Sequence, residues 1–314
     1  MGQVWRLMCL LVLLAGSVHE LPGQSPPLWG SLVPGPFDAG FGRIWTVDHS
    51  RVWPRSPALD SVRGDVARPL RIDVWYPADC HGAKPMPLRG YVDMEAPDSA
   101  YADLVFLTRR WDDYSYRNLA GDSTSFDRLM GVDTGACRHP MPAPGPFPLV
   151  VYSAGWYNRT PDNAILAEYL ASHGFVVASV PQLNPGLWTF EFASDAVGVE
   201  NQVRDLEVAL GRLVDAPFVD RRKVVAMGYS TGGDVALLLA GRNPLVKAVV
   251  ALDGSWTLSK DNEVTSSPLF RPGEHREAIL VLRRPADADA PGGDVLDGLS
   301  GAPRVVVEIP GGDH

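Results

Sequence analysis

From Pro148 onward the chain alternates short apolar runs with longer amphipathic ones. Strands are expected at Pro148–Tyr152, Phe175–Val180, Lys223–Met227, Val246–Leu252, Ala278–Leu282 and Arg304–Ile309. Between them, helical periodicity covers Asp162–His173, Asp195–Val214 and Gly232–Arg242. Apolar runs without polar alternation are what strands need when both faces are covered, and interleaved helices supply that cover. The pattern predicts one α/β domain over residues 37–314, a mostly parallel central sheet with helices on both faces. Upstream, Arg68–Ala78 (RPLRIDVWYPA) alternates apolar and polar positions, the mark of a half-buried strand. Residues 80–147 break the rhythm with many Gly, Pro, Asp and aromatic residues and weak helical stretches such as Tyr101–Arg110. They read as an insertion, either a lid near a site or a surface excursion.

Composition and charge refine this. Arg6 precedes an apolar core from Leu7 to Ala15, followed by small and polar residues. That is the form of a secretory signal peptide and too short for a membrane span. Residues 1–24 are therefore expected to be cleaved, leaving a loose leader at 25–36, a secreted or periplasmic protein and no stable membrane span. A net charge of −9 argues against nucleic acid or an anionic membrane surface as main partner. Cys9 lies in the apolar core; Cys80 and Cys137 remain, either a disulfide or two buried thiols. No Cys/His spacing resembles a metal site, and no cofactor is expected.

The chemistry concentrates at residues 223–240, KVVAMGYSTGGDVALLLA. Here Gly228-Tyr229-Ser230-Thr231-Gly232 forms G-x-S-x-G between a strand and a helix. A nucleophile on so sharp a turn has strained backbone angles, and glycines two before and two after relieve the crowding. The following helix aims its N-terminal amides and dipole at the place where an oxyanion would form.

A serine hydroxyl needs a base beside it and an acid to orient that base. In this architecture such groups follow the carboxyl ends of strands. His19 lies in the leader region, His49 and His81 precede the regular sheet, and His139 lies in the insertion. His173 and His275 precede their strands, at the wrong end. His314 alone follows a strand, and is the expected base. It also ends the chain where a closing helix would cover the sheet edge, so the sequence reads as a piece of a longer product. Two acids compete: Asp253 after Val246–Leu252, and Asp287 after Ala278–Leu282. Either gives the order Ser, Asp, His, and the pattern leaves the choice open. The oxyanion amides are expected from Thr231 and, in the loop Ser153-Ala154-Gly155-Trp156-Tyr157-Asn158, from Trp156. Asn158 and Arg159 either line the site or cap the following helix.

Together these segments resemble the α/β-hydrolase superfamily, in the branch of platelet-activating-factor acetylhydrolases and dienelactone-hydrolase-like esterases. Trp75-Tyr76-Pro77-Ala78, Val150–Gly155, Leu170–Val177 and Gly228–Gly233 carry the resemblance. Leu252-Asp253-Gly254-Ser255-Trp256 matches the place where that branch holds its acid, which favours Asp253. Ala154 stands where the branch has the histidine of a His-Gly pair. The Val150–Gly155 and Leu170–Val177 segments also resemble cutinase-type polyester hydrolases, whose acid would correspond to Asp287. The resemblance implies a secreted serine ester hydrolase acting on short-acyl or lipid esters. A cutinase-like polyester hydrolase and a non-catalytic binding protein on the same scaffold are the alternatives.

Overall fold

The computed structural model describes residues 25–54, 65–183, 195–257, 263–285, 295–312 and 314. One ten-stranded sheet runs through it in the order β10-β9-β8-β7-β5-β6-β2-β1-β3, with β4 paired to β2. Its strands are β1 Asp38–Pro54, β2 Asp65–Asp79, β3 Ala136–Arg138, β4 Met141–Pro142 and β5 Phe147–Ser153. They continue as β6 Val176–Ser179, β7 Val219–Tyr229, β8 Val246–Leu252, β9 Ala278–Arg283 and β10 Arg304–Glu308. From β6 to β10 every neighbouring pair is parallel, while β2 pairs antiparallel with both β6 and β1. The long helices are α1 Ala102–Ala120, α2 Ser123–Met130, α3 Ala164–Ser172, α4 Ala196–Leu213 and α5 Thr231–Arg242.

The sheet has a core on each face. Val199, Val203, Leu206 and Leu210 form a stripe at helical spacing that buries α4 against Ile72, Val74, Leu149 and Val151, with α5 beside it. On the other face Ala164, Ala167 and Ala171 of α3 pack on Trp75, Val150, Tyr152 and Val177. Small residues on α3 let it sit close to a strand that presents large ones.

β2 departs from its half-buried expectation: positions 68–78 are buried on both faces. Its polar residues are paired instead of solvated. Arg68 sends Nε and Nη2 to Asp205 of α4 at 2.8 and 2.6 Å, while Arg71 and Arg43 share Asp73 at 2.9 and 3.0 Å. A period of two fixes which residues share a face but not whether a covering element brings a counter-charge. β1 was not foreseen, because Gly40, Gly42 and a register shift between Asp48 and Val52 interrupt its apolar alternation.

The stretch expected as a loose leader is tied down. Trp29 is buried and donates through Nε1 to Glu168 of α3 at 2.7 Å. The same carboxylate accepts from the Tyr91 hydroxyl at 2.6 Å and the Gly135 amide at 2.7 Å. Burial raises the Glu168 pKa despite these three donors. Cys80 and Cys137 form a disulfide, closing the ends of the insertion over a separation of 57 residues. The signal-like residues 1–24 lie outside the described residues. Among the described residues no helix is long and apolar enough to cross a membrane.

Candidate active site

Ser230 sits between β7 and α5 with φ 53° and ψ −126°, a conformation a non-glycine residue adopts only when its surroundings impose it. A Cβ on Gly228 would lie 1.9 Å from the Gly232 carbonyl oxygen. One on Gly232 would lie 2.2 Å from the Ser153 carbonyl oxygen, so this glycine answers to the end of β5 and not to the serine. The Ser230 amide donates to Leu252 O at 3.0 Å, and its carbonyl accepts from Gly233 N at 2.8 Å and Ser255 N at 3.2 Å. Backbone from β8 thus holds the turn that the sequence of β7 and α5 creates.

The residues expected as partners converge here. Ser230 Oγ lies 2.9 Å from His314 Nε2, and His314 Nδ1 lies 2.5 Å from Asp253 Oδ2. Ser230 and Asp253 are buried, and the His314 imidazole stacks on Tyr229 with ring centroids 5.3 Å apart. Asp253 has positive φ, and its other oxygen accepts from the Arg284 amide at 3.2 Å. The competing acid, Asp287, lies outside the described residues. Asp234, in the first turn of α5, accepts from Trp256 N at 3.0 Å and anchors the turn that follows Asp253. Its carboxylate also complements the positive end of that helix. His173 ends α3 and His275 is buried against Glu277; neither contacts Ser230.

On the opposite side, the loop after β5 comes close enough that a Cβ on Gly155 would lie 3.1 Å from Ser230 Cβ. Trp156 follows that glycine, and Thr231 opens α5 directly after the serine. The side-chain amide of Gln182, just beyond β6, donates to Ala154 O and fixes the loop. Arg159 caps the next turn through Asp162, donates to the Asp112 carbonyl at 3.1 Å and lies over the Tyr116 ring at 4.1 Å. The insertion therefore packs its α1 helix against this loop. Asp112 on α1 is buried, which pushes its carboxyl up to about 7 against the pull of Arg71 and Arg159. Sequence reading missed Gln182, Asp234 and Asp112, since each matters through a partner distant in sequence. Among the described residues no group of three or more His, Cys, Asp or Glu side chains is arranged to hold a metal.

Residues 139–274 match the profile of the dienelactone hydrolase family. Cutinase 1 and Cutinase 2 of Thermobifida cellulosilytica are 26% and 28% identical over 139 residues, covering 42% of this chain and 49% of each relative. The match thus spans about half the length of these curated relatives. A solved ferulic acid esterase from Streptomyces cinnamoneus superposes with a TM-score of 0.56 at 22% identity, over 88% of this chain and 74% of that one. Its likeness is one of fold. With this sheet order and a strand–serine–helix turn on β7, the chain has the α/β-hydrolase fold, and its residues 139–274 are similar to the dienelactone hydrolase family.

Proposed function

We propose that the chain is an exported serine ester hydrolase that cleaves short-acyl esters through an acyl-enzyme. Ser230 Oγ attacks the ester carbonyl as His314 Nε2 takes its proton, and Asp253 at Nδ1 orients the imidazole and offsets the charge it gains. The Thr231 and Trp156 amides donate to the oxyanion of the tetrahedral intermediate. Collapse expels the alcohol, which receives the proton from His314 and leaves an acyl group on Ser230. Water, deprotonated by the same imidazole, then releases the acid and restores the serine. No cofactor enters these steps.

One observation carries the reading: the unbroken contact line from Ser230 through His314 to Asp253, at 2.9 and 2.5 Å, on a strained strand-to-helix turn. The Cys80–Cys137 disulfide supports an oxidising compartment, and with it export. Replacing Ser230 by Ala is expected to lower turnover of para-nitrophenyl acetate by about 10⁴-fold or more. Parental activity in Ser230→Ala would overturn the reading, and failure of a fluorophosphonate to label the folded protein would favour a binding role. The cutinase relatives support a second reading, a polyester as the natural ester. Soluble product released from a polyester film, compared with turnover of a short-chain ester, separates the two.

A further inference from the structure

Where β1 and β3 meet the insertion, an open cleft of about 600 Å³ lies between Arg43 and Trp45 of β1, residues 93–95, Arg109 of α1, and Arg138 and His139 at the end of β3. That is room for a small ion together with its water. Cations crowd one side of it. Arg43 and Arg138 both donate through Nη2 to the Gly90 carbonyl oxygen, at 3.4 and 3.0 Å, so their guanidiniums converge on one acceptor. Arg43 also bonds Tyr91 O and Asp73, and the Asp73 carboxylate is itself shared with Arg71. Arg138 is exposed, makes no ion pair among the described residues, and keeps its other N–H donors available.

His139 has φ 53°, which a non-glycine residue holds only where its contacts impose it. Its amide donates to Phe41 O at 2.8 Å, and the Cys80–Cys137 disulfide anchors the strand two residues before it. The imidazole is thereby set close over Gly42, where an added Cβ would lie 3.4 Å from Nδ1. Burial, and then the charges of Arg138 and Arg43, lower the His139 pKa, and no carboxylate among the described residues offsets them. The two carboxylates that line the cleft do not relieve this end: Asp93 stands 3.6 Å from Arg109, and Glu95 is exposed. Packing like charges together costs free energy that a bound anion removes.

We infer that this cleft binds an oxyanion, a phosphate or a carboxylate, between Arg138 and His139 with Arg43 beneath them. The arginine fork matches two oxygens of either group, and the imidazole supplies a further donor. Arg43, already bonded to Asp73, Gly90 and Tyr91, contributes mainly charge. The whole chain carries a net charge of −9, so an anion held here answers to local chemistry and not to bulk attraction. Three strands separate β1 from β7, on the order of 20 Å across the sheet. The site is thus apart from Ser230, and the inference does not rest on the proposed activity.

The test is thermal unfolding of the full chain in rising inorganic phosphate or, separately, succinate, with ionic strength held constant by sodium chloride. The parent is expected to gain stability saturably, as mass action requires, with at least one of the two. The anion with the tighter half-saturation names the class. Arg138→Gln is expected to weaken that half-saturation by about tenfold or more, because a charge-assisted pair is lost. His139→Asn, which keeps a residue tolerant of positive φ, is expected to weaken it by about threefold. No saturable gain in the parent, or an unchanged half-saturation in folded Arg138→Gln, overturns the site. Should Arg138→Gln fail to fold, His139→Asn decides in its place, and an unchanged half-saturation there overturns the site equally.

Discussion

On one side of Ser230 stand β7, α5 and β8, held by backbone bonds between neighbouring strands and by glycines that let the chain pass within contact distance of itself. On the other side stand the loop after β5 and the insertion helix α1. These are held by side chains reaching across the fold, Gln182 to Ala154 and Arg159 to Asp112 and Tyr116. The first wall has little slack: an added methyl at Gly228 meets a carbonyl oxygen. The second wall carries buried polar atoms with no partner among the described residues, Asp112 Oδ2 and Gln182 Oε1 among them, and the half-exposed rings of Trp156 and Tyr157. The contrast separates two tasks. On the proposed function, the stiff wall would align the nucleophile and the side-chain-held wall would face the substrate.

The largest effect should come from breaking the stiff wall. Gly228→Ala forces a Cβ to 1.9 Å from Gly232 O, and neither backbone segment has room to retreat. The expected result is a protein that does not fold, read as loss of the cooperative thermal transition, in the range above about 4 kcal/mol. A soluble, fully active variant would show that the turn has slack after all.

Next in size is the acid. Asp253→Asn should fold normally yet lose about 10⁴-fold in kcat, or about 5 kcal/mol, because the imidazole loses its oriented tautomer. Retained activity would move the acid elsewhere, and Asp287→Asn would then be the variant to measure.

The insertion wall should respond through stability. The Cys80–Cys137 bond closes a loop of 57 residues' separation, worth about 4 kcal/mol in the chain-entropy account. Cys80→Ser should therefore lower the denaturant midpoint with little change in the thermal behaviour of the β7–α5 wall, as hydrogen exchange would report. Equal loss of protection across both walls would mean that they unfold as one unit.

The smallest effect is a pH dependence. Burial raises the Asp112 carboxyl from 3.8 to about 7, so the folded protein holds this proton over a range where the unfolded chain releases it. Its contribution to stability is full below the unfolded value, declines as pH rises towards about 7, and levels off above that. Asp112→Asn removes the decline, and should be more stable than the parent at pH 8 while gaining nothing near pH 4. Parallel stability profiles for the two proteins would contradict that environment for Asp112.

The same contrast explains what could be read in advance. Strands β5 to β10, helices α3 to α5 and the candidates Ser230 and His314 come from local patterns, apolar runs, a glycine-framed serine and polar residues just after strands, which offered Asp253 only beside Asp287. Such patterns reflect constraints that neighbouring residues impose on each other. The buried pairs of β2 and the Gln182 anchor were invisible because each needs two segments far apart in sequence. Arg68 and Asp205 lie 137 positions apart, and nothing near either one announces the other. Between Asp253 and Asp287 the pattern alone was silent, since both follow strands. The contact of His314 with Asp253 is a three-dimensional fact.

The most direct measurement is the site of covalent capture. The protein is treated with a fluorophosphonate, digested and examined by mass spectrometry. The account predicts one adduct, on Ser230, absent in Ser230→Ala and strongly slowed in Asp253→Asn. An adduct on another residue, or none on a folded protein, would contradict it.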